Sequence, residues 1–106
     1  MLAMLQLEFL LPLTYNNGKR IEPEKFFMVK ELLLRKFGGL SIYPIPTEGL
    51  WMDLDNNAYN ENCKRFEICI KKSRKNIDWF SKYKRQLERE FKQKEIYMIM
   101  IEVWKL

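Results

Sequence analysis

Histidine is absent from this chain, and its 106 residues include only two cysteines, four glycines and four prolines. Without histidine there is no His-dependent catalytic triad, no H-E-x-x-H zinc protease and no His-ligated transition-metal centre. Two cysteines alone do not make a structural zinc site. If Cys63 and Cys69 share one extended strand, six residues at ~3.3 Å each set them roughly 20 Å apart. A disulfide needs Cα atoms within about 7 Å, so two free thiols are expected, and with them a reducing, cytoplasmic setting. Phosphate-binding glycine loops are missing too, because Gly38-Gly39 follows a helix instead of opening one. No stretch approaches the ~18 apolar residues of a membrane helix, so no membrane contact is expected. The apolar leader Met1 to Leu13 lacks a basic n-region and a small-residue cleavage site, and Gln6 and Glu8 interrupt it. It reads as a strand, not a signal peptide.

What is present suits one small globular domain over residues 1–106, with 47% apolar and 31% charged residues. Leu5, Leu7, Phe9 and Leu11 alternate with Gln6, Glu8 and Leu10, the period of a half-buried strand. Tyr15-Asn16-Asn17-Gly18 supplies turn chemistry. Pro23 between Glu22 and Glu24 opens a first helix, since proline lacks only an N–H that had no intrahelical partner. Phe26, Val29, Leu33 and Phe37 form its apolar stripe, and Gly38-Gly39 stops it.

Leu40 to Ile45 reads as a second strand, marked as an edge by Pro44 and Pro46 and resuming at Leu50-Trp51-Met52. Asp53 to Asn62 reads as a solvated hairpin tip. Lys64 to Ile70 alternates as a third strand. Asn76 is a cap for a second helix from Ile77 to about Lys92, with Phe80, Tyr83, Leu87 and Phe91 as its buried stripe. Ile96 to Trp104 is a fourth strand, apolar on both faces.

These six elements predict an α+β, ferredoxin-like βαββαβ sandwich: an antiparallel four-stranded sheet in order 4-1-3-2, with two helices on one face. Phe37-Gly38-Gly39 leading into a strand, then Gly49-Leu50-Trp51 before a polar hairpin, resembles a group of small bacterial proteins over Leu7 to Val103. The resemblance implies a ferredoxin-like fold. It carries no chemistry.

Charge is unevenly spread. Residues 1–62 hold six Lys/Arg against eight Asp/Glu, and residues 63–106 hold thirteen against six. On the expected topology Arg35, Lys36, Lys71, Lys72, Arg74, Lys75 and Lys105 gather at one pole. Four of them precede the second helix, where an anion would relieve their repulsion with the helix dipole. That pole is a candidate for nucleic-acid phosphates or an acidic protein.

Asp53-Leu54-Asp55-Asn56-Asn57 begins like a calcium loop but fails at Ala58, where glycine is needed, and at Lys64, where a glutamate is needed. The third strand lacks the glycine and paired aromatics of an RNA-recognition module. Glu8 and Glu67 are expected on the open sheet face with Arg65 beside them, and with Cys69 they are the candidate acid–base or nucleophilic groups of a small hydrolase or isomerase. Met98, Met100 and Trp104 are placed on the same open face as an apolar patch suited to a homodimer. The expectation from sequence is therefore a non-catalytic binding or assembly module without metal or cofactor.

Overall fold

The computed structural model describes residues 1–106, in the order β1 (Leu2–Pro12), α1 (Pro23–Phe37), β2 (Ser41–Ile42), β3 (Thr47–Met52), β4 (Ala58–Lys71), α2 (Arg74–Glu90) and β5 (Met98–Lys105). Alternation along β1 sends Leu5, Leu7, Phe9 and Leu11 into the core. Their antiparallel partners on β4 include Phe66, Ile68 and Ile70, which are buried on the same face. Phe9 and Phe66 stack at 5.1 Å between ring centroids in the middle of this layer. Both helices cover that face: Phe26, Val29 and Leu33 of α1 and Phe80, Tyr83 and Leu87 of α2 join one core cluster. Phe26 meets Phe91, and Phe37 meets Trp79 and Phe80, so aromatic contacts also bind the helices to each other.

The sheet departs from the expected four strands in order 4-1-3-2. It has five, ordered β2-β4-β1-β5, with β3 also paired to β4, and every pairing is antiparallel. The cause is local. Pro44 and Pro46 cannot donate to a ladder, so the expected second strand is cut into the short β2 and the longer β3. β3 pairs with the first residues of β4, which run past the end of β1, and the two form a hairpin arm beyond the main sheet.

The helix ends follow from single residues. Gly38 sits at φ 86°, a left-handed conformation that side-chain-bearing residues avoid, and its N–H donates to the Leu34 carbonyl at 2.8 Å. The second helix starts three residues earlier than expected because Ser73, not Asn76, caps it. The Asn76 N–H donates to Ser73 Oγ at 3.1 Å, while the Asn76 amide donates to the Lys71 carbonyl.

The expected placement of Met98, Met100 and Trp104 on the open face is also overturned. They stand opposite Phe9, Leu7 and Ala3, so they lie on the helix-covered side. Met98 packs against the core, and Met100 and Trp104 emerge past its edge. The open face instead receives Ile99, Ile101 and Val103, opposite Glu8, Gln6 and Met4. No helix is long and apolar enough to cross a membrane.

Candidate functional site

Glu8 and Glu67, the candidate acid–base pair, face each other directly across β1 and β4. Two like charges in that position repel, and Arg65 resolves the conflict. Its guanidinium pairs with Glu8 and lies 3.9 Å from Glu67, while the Tyr43 hydroxyl donates to Glu67 at 2.7 Å. Arg65 also lies over the Tyr43 ring at 4.3 Å. That network ties β1, β4 and the β2–β3 link together and leaves no carboxylate free for chemistry. Cys69 is an exposed free thiol opposite Gln6, on a shallow depression with Glu67 and Lys105, and no base is positioned to activate it. Glu8 and Glu67 are thus engaged with Arg65 and Tyr43, and Cys69 stands apart from them as an exposed thiol.

The basic pole is partly neutralised. Arg35 pairs with Glu31 at 3.0 Å, Lys72 with Glu102 at 2.9 Å and Arg74 with Asp78 at 3.2 Å. Lys36 lies over the rings of Phe37 and Trp79. Lys71, Lys75 and Lys105 join no ion pair, and Lys105 borders the same shallow depression as Cys69.

The concavity lies at the other end of the open face. A cavity of about 460 Å³, within the usual range for small-molecule sites, is lined by β1 (Leu10, Pro12), the hairpin arm (Gly49, Leu50, Trp51, Glu61, Cys63) and the α2–β5 connection (Gln93, Glu95, Ile96, Tyr97). On the arm, Gly49 stands opposite Glu61 and Trp51 opposite Tyr59, so alternate residues line one wall. The Trp51 ring is braced by stacking on Tyr59 at 6.0 Å. It also lies over Gly49, where an added Cβ would come within 3.1 Å of it. Alanine at 49 would push the ring, and hence the wall, out of place.

The α2–β5 connection forms the opposite wall, held by a partly buried ionic contact. Glu88 accepts from Lys84 at 2.7 Å and from the Ile96 N–H at 3.0 Å. Lys84 also reaches Glu95 at 3.3 Å. The turn is closed by the Gln93 N–H donating to the Glu88 carbonyl, with Lys92 at φ 53°. Burial pushes the Glu88 carboxyl up, but the Lys84 ammonium and the Ile96 N–H outweigh it, so the group ends below its ordinary value. A carboxyl lowered in this way adds stability above its unfolded pKa and loses it as pH falls through the folded value. Glu88→Gln should cost about 1.5–3 kcal/mol near neutral pH, and the cost should shrink on acidification. Thermal melts across an acid-to-neutral pH series check this.

Inside the cavity one ionisable group stands apart. Glu61 joins no ion pair, and burial alone raises its carboxyl above the ordinary range. The neighbouring Cys63 thiol is pushed up to about 11, first by burial and then by the Glu61 charge, and is inert as a nucleophile. Glu95 is committed to Lys84. The site is an aromatic and aliphatic recess holding a single uncommitted carboxylate. Such a recess favours cations: a carboxylate partly shielded from water attracts them more strongly than an exposed one, and ring faces add to the attraction.

No family model and no curated protein matches the sequence. Among solved structures the chain superposes on one with a TM-score of 0.71, covering 93% of this chain and 81% of that one at 12% identity. It is a phage SAM lyase in complex with S-methyl-5'-thioadenosine. A SAM lyase has this fold. That neighbour overturns the expectation of a non-catalytic module, because an enzyme is built on the same arrangement of strands and helices. None of the residues singled out from sequence for chemistry lines this cavity. Trp51, Glu61 and Tyr97 went unrecognised as site residues. The one available signal was a lone glutamate two residues before a cysteine on an apolar-sided strand.

Proposed function

We propose that this protein is an enzyme that breaks the carbon–sulfur bond of an adenosyl sulfonium, with S-adenosylmethionine as the reference substrate, in the cavity between the hairpin arm and the α2–β5 connection. The observation that carries this reading is Glu61, a partly buried and unpaired carboxylate lining the same cavity as Trp51 and Tyr97. The fold shared with a SAM lyase supports it. Aromatic walls suit an adenine, whose π-face stacks on side-chain rings with about 1–3 kcal/mol per base. Glu61 suits the sulfonium.

The chemistry explains why an apolar recess serves. When the bond between sulfur and the γ-carbon breaks, its electron pair goes to sulfur and the sulfonium becomes a neutral thioether, S-methyl-5'-thioadenosine. The γ-carbon is satisfied from within the substrate in one of two ways. The β-carbon gives up a proton to Glu61 and its C–H pair becomes the new double bond, or the substrate's own carboxylate closes on the γ-carbon as a lactone. Charge disperses in either transition state. A largely apolar cavity that solvates the sulfonium less well than water therefore favours the transition state over the bound substrate.

Incubation with S-adenosylmethionine, followed by chromatography, should show S-methyl-5'-thioadenosine accumulating. The two four-carbon products are isomers, and proton NMR separates them by the olefinic signals that only the first contains. Folded protein that leaves the substrate intact at high enzyme concentration would refute the reading.

A further inference from the structure

The hairpin arm differs in character from the rest of the molecule. Residues 47–62 contain four acids (Glu48, Asp53, Asp55 and Glu61) and no Lys or Arg, whereas the other 90 residues contain all nineteen cations and ten acids. The arm is also apolar outside the cavity: Met52 is largely exposed and Leu54 completely so. Exposed apolar patches of a few hundred Å2 on an otherwise polar surface mark contact sites.

A complementary surface exists at the opposite end. There Leu2 and Trp104 are more than 60% exposed and Leu106 fully so. The register sets Leu2 opposite Lys105 and Met4 opposite Lys71, which brings both lysines to this end of the sheet. Lys71 and Lys105 join no ion pair. The result is a sheet end with exposed apolar side chains on both sides, remote from the apolar arm with its acidic residues. Leu2 stands beside Lys71 and Lys105 on the open side, and Trp104 stands on the helix-covered side.

These two surfaces cannot meet within one molecule. β4 runs from one to the other through fourteen residues, roughly 40 Å at ~3.3 Å per residue. That is several times the ~8 Å Debye length at physiological salt. Only a second molecule brings them together, and the same chain supplies both halves of the match at equal concentration.

We infer that the hairpin arm is a docking element for a second copy of this chain, seated head to tail on the basic end formed by Leu2, Lys71, Trp104 and Lys105. Such a contact is heterologous: each copy offers one arm and one receptor surface, so copies join into a ring or a string. The contact places a neighbour beside the arm whose inner face walls the cavity. It does not depend on what the cavity binds.

The test exchanges the charges. One variant carries Glu48→Lys and Asp55→Lys on the arm, and another carries Lys71→Glu and Lys105→Glu on the basic end. None of these side chains lines the cavity walled by Trp51 and Tyr97. In sedimentation velocity the wild type should exceed its 13.0 kDa chain mass with rising concentration and fall back toward it at high salt. Each variant alone should remain monomeric at concentrations where the wild type associates. An equimolar mixture of the two should regain assembly, since each arm then meets a surface of opposite sign. A wild type that is monomeric at every concentration would overturn the inference. Variants that associate unchanged, or a mixture that stays monomeric while the wild type assembles, would overturn it equally.

Discussion

Replacing Glu61 by Gln is expected to lower kcat/KM for S-adenosylmethionine cleavage by about 10²–10³-fold, the usual cost of deleting a single positioned charge or proton acceptor. The same change should make the protein more stable at neutral pH. Burial raises the Glu61 carboxyl, so between its ordinary and raised pKa the folded state holds a proton that the unfolded state has released. In that window stability falls as pH rises, and Gln removes the penalty. The variant should therefore match the wild type in acid and melt higher near neutrality. Opposite signs for activity and stability identify a strained functional group. If melting and turnover are both unchanged, Glu61 is a bystander. A loss of turnover with a lower melting temperature would indicate structural damage instead.

Phe9→Ala should cost about 3–5 kcal/mol, measured by urea unfolding, out of the roughly 5–15 kcal/mol typical of a whole domain. Phe9 is fully buried on the central strand, stacked on Phe66, with Met98 opposite it on β5. Removing the ring opens a cavity that rigid strands on both sides cannot collapse to fill. Activity should survive in whatever fraction remains folded, because Phe9 faces away from the cavity.

The elements that sequence revealed best are those whose pattern is self-contained. Alternation in β1 and β4 and the Pro23-to-Gly38 punctuation of α1 depend on neighbours along the chain, and all are present in the structure. β5 was legible as a strand but not in its orientation. With apolar residues on both faces, parity alone cannot say which side meets the helices. The Leu7–Met100 register decides it. Ser73 and Asn76 are both good cap residues, and only the backbone geometry, extended at Ser73, makes Ser73 the cap.

The cavity was the least legible feature. Its walls come from three separate parts of the chain, residues 10–12, 49–63 and 93–97. Glu61 was counted into a solvated tip because nothing local shows Leu10, Pro12 and Tyr97 closing over the same recess. The polar residues that did look chemical, Glu8 and Glu67, are occupied in holding Arg65 between two strands.

The three tryptophans occupy three different surroundings: Trp51 walls the cavity, Trp79 is packed among α-helical aromatics, and Trp104 stands in solvent at the basic end. Each is consequently an optical reporter for a separate event. An adenosyl ligand should perturb Trp51 emission, a docking neighbour should shift Trp104 to the blue, and loss of the core should redden Trp79. Single-tryptophan versions, with Phe at the other two positions, would let ligand entry, assembly and unfolding be followed independently in one unlabelled sample.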